Sequence, residues 1–182
     1  IEPTTENGIP LWGTGDSAAG IEHAGKVVDV YLLMLRELDR VKDQFGRAVE
    51  SAAKQQRTYT DLGALTSVTV RTSQAEAEKQ FYQIFEKTGV ELLKQKLDVS
   101  IKRKTQGEQD LSNFQAPDAQ RQEWINYLNK GRLPPLESLR LEDNLFAGMS
   151  AWSSLDIFGF ASSAAYLVGT PENIAAQVET YH

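Results

Sequence analysis

Strand-length apolar runs and helical stretches alternate over the first hundred residues, and this alternation decides the class of fold. Residues 9–12 read as a short strand that runs into the glycine-rich turn GTGDS, where Asp16 or Ser17 is placed to cap a helix over 18–28. In that helix Ile21, Ala24 and Val28 share a face. The compact run DVYLLM at 29–34 has strand length, and a long amphipathic helix follows over about 37–57. Its Leu38, Val41, Phe45, Val49 and Ala52 recur every three or four residues. Residues 62–71, LGALTSVTVR, are rich in β-branched side chains and read as a third strand. Ser73 with Glu76 then forms a capping box that opens a helix running to about residue 101. Strands separated by helices pair in parallel, because only a long crossover returns the chain to the same end of a sheet. The expected class is α/β.

After residue 101 the character changes. Residues 102–141 are polar, contain Pro117, Pro134 and Pro135, and show one helical stretch near 119–129; they read as a mobile insertion or lid. A short buried segment follows at 166–168. Thr170 then caps a last helix with Pro171 in its first turn, over 171–181, with Ile174, Val178 and Tyr181 on one face.

Composition excludes several functions. A net charge of −6 argues against nucleic acid as a partner, and Lys102-Arg103-Lys104 is too short a basic cluster to change that. With no cysteine and only His23 and His182, neither a thiolate centre nor a histidine zinc site is expected. The most apolar stretch, 155–169, is broken by Asp156, Gly159, Ser162 and Ser163, so no membrane span is expected.

The turn Gly15-Asp16-Ser17-Ala18-Ala19-Gly20 is the most informative motif. Glycines allow a close backbone approach, and a helix start offers free N–H groups to an anion such as a phosphate. The same residues also serve as an ordinary turn and cap, and local sequence leaves both readings open. His23 reads as a satisfied or exposed helix residue, Asp29 as a carboxylate that caps or pairs with a helix, and the tryptophans as packing. No nucleophilic triad, paired-carboxylate spacing or Gly-Lys-Ser/Thr phosphate loop is present. From the residues alone no catalytic group can be named.

Three stretches together resemble the bacterial-luciferase-like family of flavin-dependent monooxygenases, most of all its two-component alkanesulfonate branch. They are IPLWGTGDSAAGIEHAGKVVDVYLL, the run RELDRV to AEAE, and EDNLFAGM followed later by AAYLVGTPENIAAQVETYH. The resemblance implies a (β/α)8 barrel of the TIM type. A closed barrel needs about 250 residues, so the chain, 1–182, is expected to form a partial barrel, the C-terminal portion with about strands five to seven.

The resemblance further implies reduced FMN (FMNH2) supplied by a separate flavin reductase, a small-molecule substrate oxygenated with dioxygen, a homo-oligomer and a cytoplasmic location. It places Thr14, Gly15, Asp16 and Ser17 beside the flavin phosphate or ribityl chain. Where the alkanesulfonate branch carries an arginine and a histidine, this chain has Leu65 and Ser67. The segment SSLDIFGF at 153–160 also lacks that branch's second arginine. A neutral organic or organosulfur substrate is therefore expected, in a pocket lined by Ser67, Trp152, Phe158 and Phe160. Two alternatives remain: a non-catalytic flavin-binding or degenerate barrel protein, and a helical interaction protein.

Overall fold

The computed structural model describes residues 9–150, 153–159 and 165–181. They fall into two compact units, divided between Leu65 and Thr66.

The first unit runs β1 (Trp12–Thr14), α1 (Ala18–Val27), β2 (Val30–Met34), α2 (Leu38–Lys54) and β3 (Asp61–Leu65). All three strands are parallel in the order β1-β2-β3, so the expected α/β alternation is present. Tyr31 and Leu33 are buried on one face of β2, and Tyr31 meets Phe45 of α2 edge-on at 6.4 Å. The helices pack closely: a Cβ on Gly25 would come within 2.8 Å of the Ser51 carbonyl carbon. Other apolar side chains of this sheet stay exposed, Trp12 to 67%, Leu62 to 36% and Leu65 to 45%. Among the described residues neither sheet closes on itself.

The first strand lies later than its hydropathy suggests. Ile9 and Leu11 are exposed, and pairing starts where Trp12 meets Val30. Leu11 contributes its backbone instead: its carbonyl accepts from the Asp29 and Val30 N–H groups, and its N–H donates to Asp29 Oδ2 at 2.9 Å.

The second unit runs β4 (Ser67–Val70), α3 (Gln74–Lys104), α4 (Ala119–Asn129), a 3-10 turn (Leu136–Leu139), β5 (Arg140–Glu142), β6 (Leu145–Ala147), β7 (Ala165–Gly169) and α5 (Pro171–Glu179). Its strand order is β4-β7-β6-β5, parallel between β4 and β7 and antiparallel elsewhere. The strand expected over 62–71 is therefore two strands that serve different sheets. Thr66 separates them; its Oγ1 donates to the Ala165 carbonyl at 2.8 Å, while Leu65 O accepts from Leu35 N.

Three further departures have local causes. α3 breaks at Gly89, whose φ of +72° is a conformation that favours glycine. β5 and β6 form a hairpin around Asp143-Asn144, which hydropathy alone does not mark. In α5 the buried residue is Gln177, whose Nε2 donates to Glu142 Oε2 at 3.0 Å, whereas Val178 is exposed.

The polar stretch 102–141 is built into the core of the second unit. Leu111, Phe114, Trp124, Ile125, Leu128 and Leu139 all join the cluster centred on Phe81, Phe85 and Phe146. Trp124 Nε1 donates to the Ser138 carbonyl at 2.8 Å, so the indole is both packed and satisfied.

Candidate functional site

Thr14 ends β1, and Gly15, Asp16 and Ser17 lead directly into α1, at the carboxyl end of a parallel strand. In α/β sheets that end is where ligands bind, because the loops there are free of the crossover helices' packing. Gly15 and Gly20 face each other so closely that a Cβ on Gly15 would lie 3.0 Å from Gly20 Cα. A larger residue at either position would force the turn and the helix start to shift by a few tenths of an ångström.

Ser17 is the N-cap of α1. Its Oγ accepts from Gly20 N at 3.1 Å, and its carbonyl accepts from Ile21 N at 2.9 Å. The hydroxyl proton is then available to an acceptor outside the helix, beside the N–H groups of the first turn. Ser17→Ala is expected to lower stability by about 1 kcal/mol. Urea unfolding with an unchanged slope checks this; a midpoint equal to that of the parent would show that the cap adds nothing.

A buried relay holds the turn from behind. The Tyr31 hydroxyl donates to the Gly15 carbonyl and accepts from Gln44 Nε2 at 3.0 Å. Burial pushes the Tyr31 hydroxyl above the ordinary phenol range, the Gln44 hydrogen bond opposes it, the Asp16 carboxylate adds to it, and Arg47 and Arg36 pull it down. Arg36, just beyond β2, is only 9% exposed. The relay and Arg36 escape a reading of local sequence; an arginine interrupting the apolar run LLMLREL at a strand end is the signal that marks the latter.

The other expected site residues belong to the second unit. Ser67 opens β4 opposite Tyr166, half-buried. Phe158 is half-buried and meets Phe114 of the 102–141 stretch edge-on at 5.1 Å. Its N–H donates to Asp156 Oδ1 at 3.1 Å. Trp152 and Phe160 lie outside the described residues. His23 is exposed on α1, and Asp29 pairs with Arg57 at 3.0 Å, a structural use.

A cleft of about 850 Å³ opens beyond β4, where Arg71 and Lys79 face Glu76 and Glu172. Its mixed charge favours neither an anion nor a cation. Among the described residues no cluster of three His, Asp or Glu side chains is arranged to hold a metal, and no helix is long and apolar enough to cross a membrane.

Solved structures share this fold. A long-chain alkane monooxygenase (LadA) matches all of this chain at 19% identity with a TM-score of 0.61. DmoA from Hyphomicrobium sulfonivorans also matches all of it, at 13% identity and a TM-score of 0.59. Riboflavin lyase (RcaE), solved with modified FMN and riboflavin, matches 96% of it at 15% identity and a TM-score of 0.58. The chain spans only 35% of LadA and 36% of each of the other two, as a partial barrel would. At such identities the likeness is one of fold. The family comparison reaches further, because it matches residues 1–182, the whole chain rather than one motif, to the luciferase-like monooxygenases, and the protein belongs to that family.

Proposed function

We propose that the protein acts as a flavin-dependent monooxygenase that takes reduced FMN from a separate flavin reductase and oxygenates a small neutral organic or organosulfur substrate. The observation that carries this reading is the Gly15–Ser17 turn, held by Tyr31 at the carboxyl end of β1, in a chain of the luciferase-like family. The residues present fit a flavin phosphate. Gly15 admits a close approach, Ser17 and the first N–H groups of α1 donate, and Tyr31 fixes the turn before any ligand arrives. The bound flavin supplies the activation of dioxygen; the chain binds it, orients it and excludes water.

The substrate class follows from what is missing. A sulfonate needs charged donors in a dry site, and Leu65 and Ser67 stand where the alkanesulfonate branch has an arginine and a histidine. Trp152, Phe158 and Phe160 supply apolar wall in this reading. The stretch 102–141 has the lid's role over bound flavin in this reading. A cytoplasmic homo-oligomer is part of the same proposal.

The test is turnover by the intact protein with reductase-supplied FMNH2 and isotopically labelled dioxygen, offered an alkane, a dialkyl sulfide and an alkanesulfonate. Label is expected in the product of a neutral substrate. Flavin binding with release of hydrogen peroxide alone would instead select a non-catalytic flavin-binding protein, and label in the sulfonate product alone would overturn the substrate class.

A further inference from the structure

Beyond its break at Gly89, α3 carries a stripe that the core does not use. Leu92, Lys96, Val99 and Arg103 follow one another at spacings of four, three and four residues, so they share a face of the helix. Leu93, Leu97 and Ile101 are fully buried on another side, while Leu92 stays 48% exposed and Val99 60%. A cleft of about 360 Å³ lies along the stripe, and Ser153 and Ser154 form its other wall. Hydrogen bonds fix that wall to the helix. The Oγ atoms of Ser100 and buried Ser154 are 3.4 Å apart, and Lys96 Nζ donates to the Ser150 carbonyl at 2.9 Å.

Charge sets this cleft apart. Its described lining holds Lys96 and Arg103 and no carboxylate, in a chain of net charge −6. The cleft beyond β4 includes Glu76 and Glu172, and one beside α1 and α2 includes Glu22 and Glu50. Asp98, between the two cations in sequence, is engaged by Lys102 at 2.6 Å and by the Leu111 N–H at 3.1 Å. Among the described residues Arg103 takes part in no ion pair or hydrogen bond. Its fork matches a carboxylate in two parallel hydrogen bonds. The volume is near the lower end of small-molecule sites, about 300 Å³, and the exposed aliphatic carbons of Leu92 and Val99 gain by covering an alkyl chain.

We propose that this cleft binds a soluble aliphatic carboxylate, with its chain along Leu92 and Val99 and its anionic head on Arg103 beside Lys96. The site uses no residue of the Gly15–Ser17 turn and needs no flavin.

Calorimetric titration of the intact, flavin-free protein with decanoate, decanol and acetate tests it. The parent is expected to bind decanoate saturably and at least about tenfold more tightly than either of the others. In Arg103→Gln the dissociation constant for decanoate is expected to rise about tenfold, the loss of one charged hydrogen-bonding partner, with that for decanol unchanged. Val99→Asn is expected to weaken decanoate and decanol alike. Both side chains are exposed, so the fold should survive, and near-UV circular dichroism checks it. Absence of saturable decanoate binding, decanol or acetate bound as tightly as decanoate, or decanoate binding that either variant leaves unchanged overturns the proposal. Sedimentation with phosphatidylglycerol vesicles in the absence of decanoate binding overturns it too, by making the stripe a membrane contact.

Discussion

Arg121→Ala is expected to destabilise the second unit by about 3–5 kcal/mol, the cost of breaking a buried ion pair from one side. Arg121 is 4% exposed and lies 2.7 Å from Asp118 Oδ2. Its Nε donates to the Asp156 carbonyl at 2.9 Å, its Nη2 is 3.8 Å from Asp156 Oδ2, and its guanidinium lies over the Trp124 ring at 5.6 Å. One side chain thus ties α4 to the 153–159 segment. Alanine removes the cation beside the largely buried Asp156 carboxylate and opens a void next to the indole. The change is read as a lower urea midpoint with loss of the near-UV tryptophan signal. A single variant within about 0.5 kcal/mol of the parent, the range of an ordinary surface substitution, would show that the pair does not anchor the stretch. The functional consequence runs through Phe158, two residues beyond Asp156: once the segment is loosened, the proposed substrate wall loses its fixed position.

The elements that local chemistry determines were legible in the sequence. Ser73 and Thr170 cap the helices they were expected to cap, and of the two candidates Asp16 and Ser17 it is Ser17 that caps α1, since a cap depends only on the next three residues. The strand–helix alternation gave the class correctly for the same reason. What stayed hidden depends on distant partners. Nothing in LGALTSVTVR marks Thr66 as a divide, because no turn residue or proline stands there and the division lies in the neighbour each half pairs with. The apolar Ile9 and Leu11 suggested a strand over 9–12, whereas ladder pairing begins only where Trp12 meets Val30. Gln177 is buried because Glu142, thirty-five residues earlier in the chain, accepts its hydrogen bond. At the candidate site the same line divides the turn from its support. The Gly and Ser pattern made Gly15 and Ser17 visible, while the grip of Tyr31 and Gln44 on Gly15 needs β2 and α2 already folded.

Two substitutions at Tyr31 separate the fold from the turn. Tyr31→Ala is expected to cost about 3–5 kcal/mol, as for other large aromatic truncations in a core. The side chain is 0% exposed and meets Phe45 at 6.4 Å and Tyr59 at 5.6 Å between ring centroids. The unit that holds it ends at Leu65, and a unit so short buries too little surface to absorb that loss, so extensive unfolding is the expected result by circular dichroism. Tyr31→Phe keeps the ring and removes only the hydroxyl. It leaves the Gly15 carbonyl without its donor and the buried Gln44 amide without its acceptor, which costs about 1–3 kcal/mol. The protein should then still fold, with a turn free to sample other conformations. If the preformed turn is what receives the phosphate, Tyr31→Phe must weaken FMN more than riboflavin, because only the former has a group that reads the position of Gly15 and Ser17. Equal binding of FMN by the parent and by Tyr31→Phe would mean that the relay supports the sheet and helices but not the ligand, and the anion would then have to be held elsewhere.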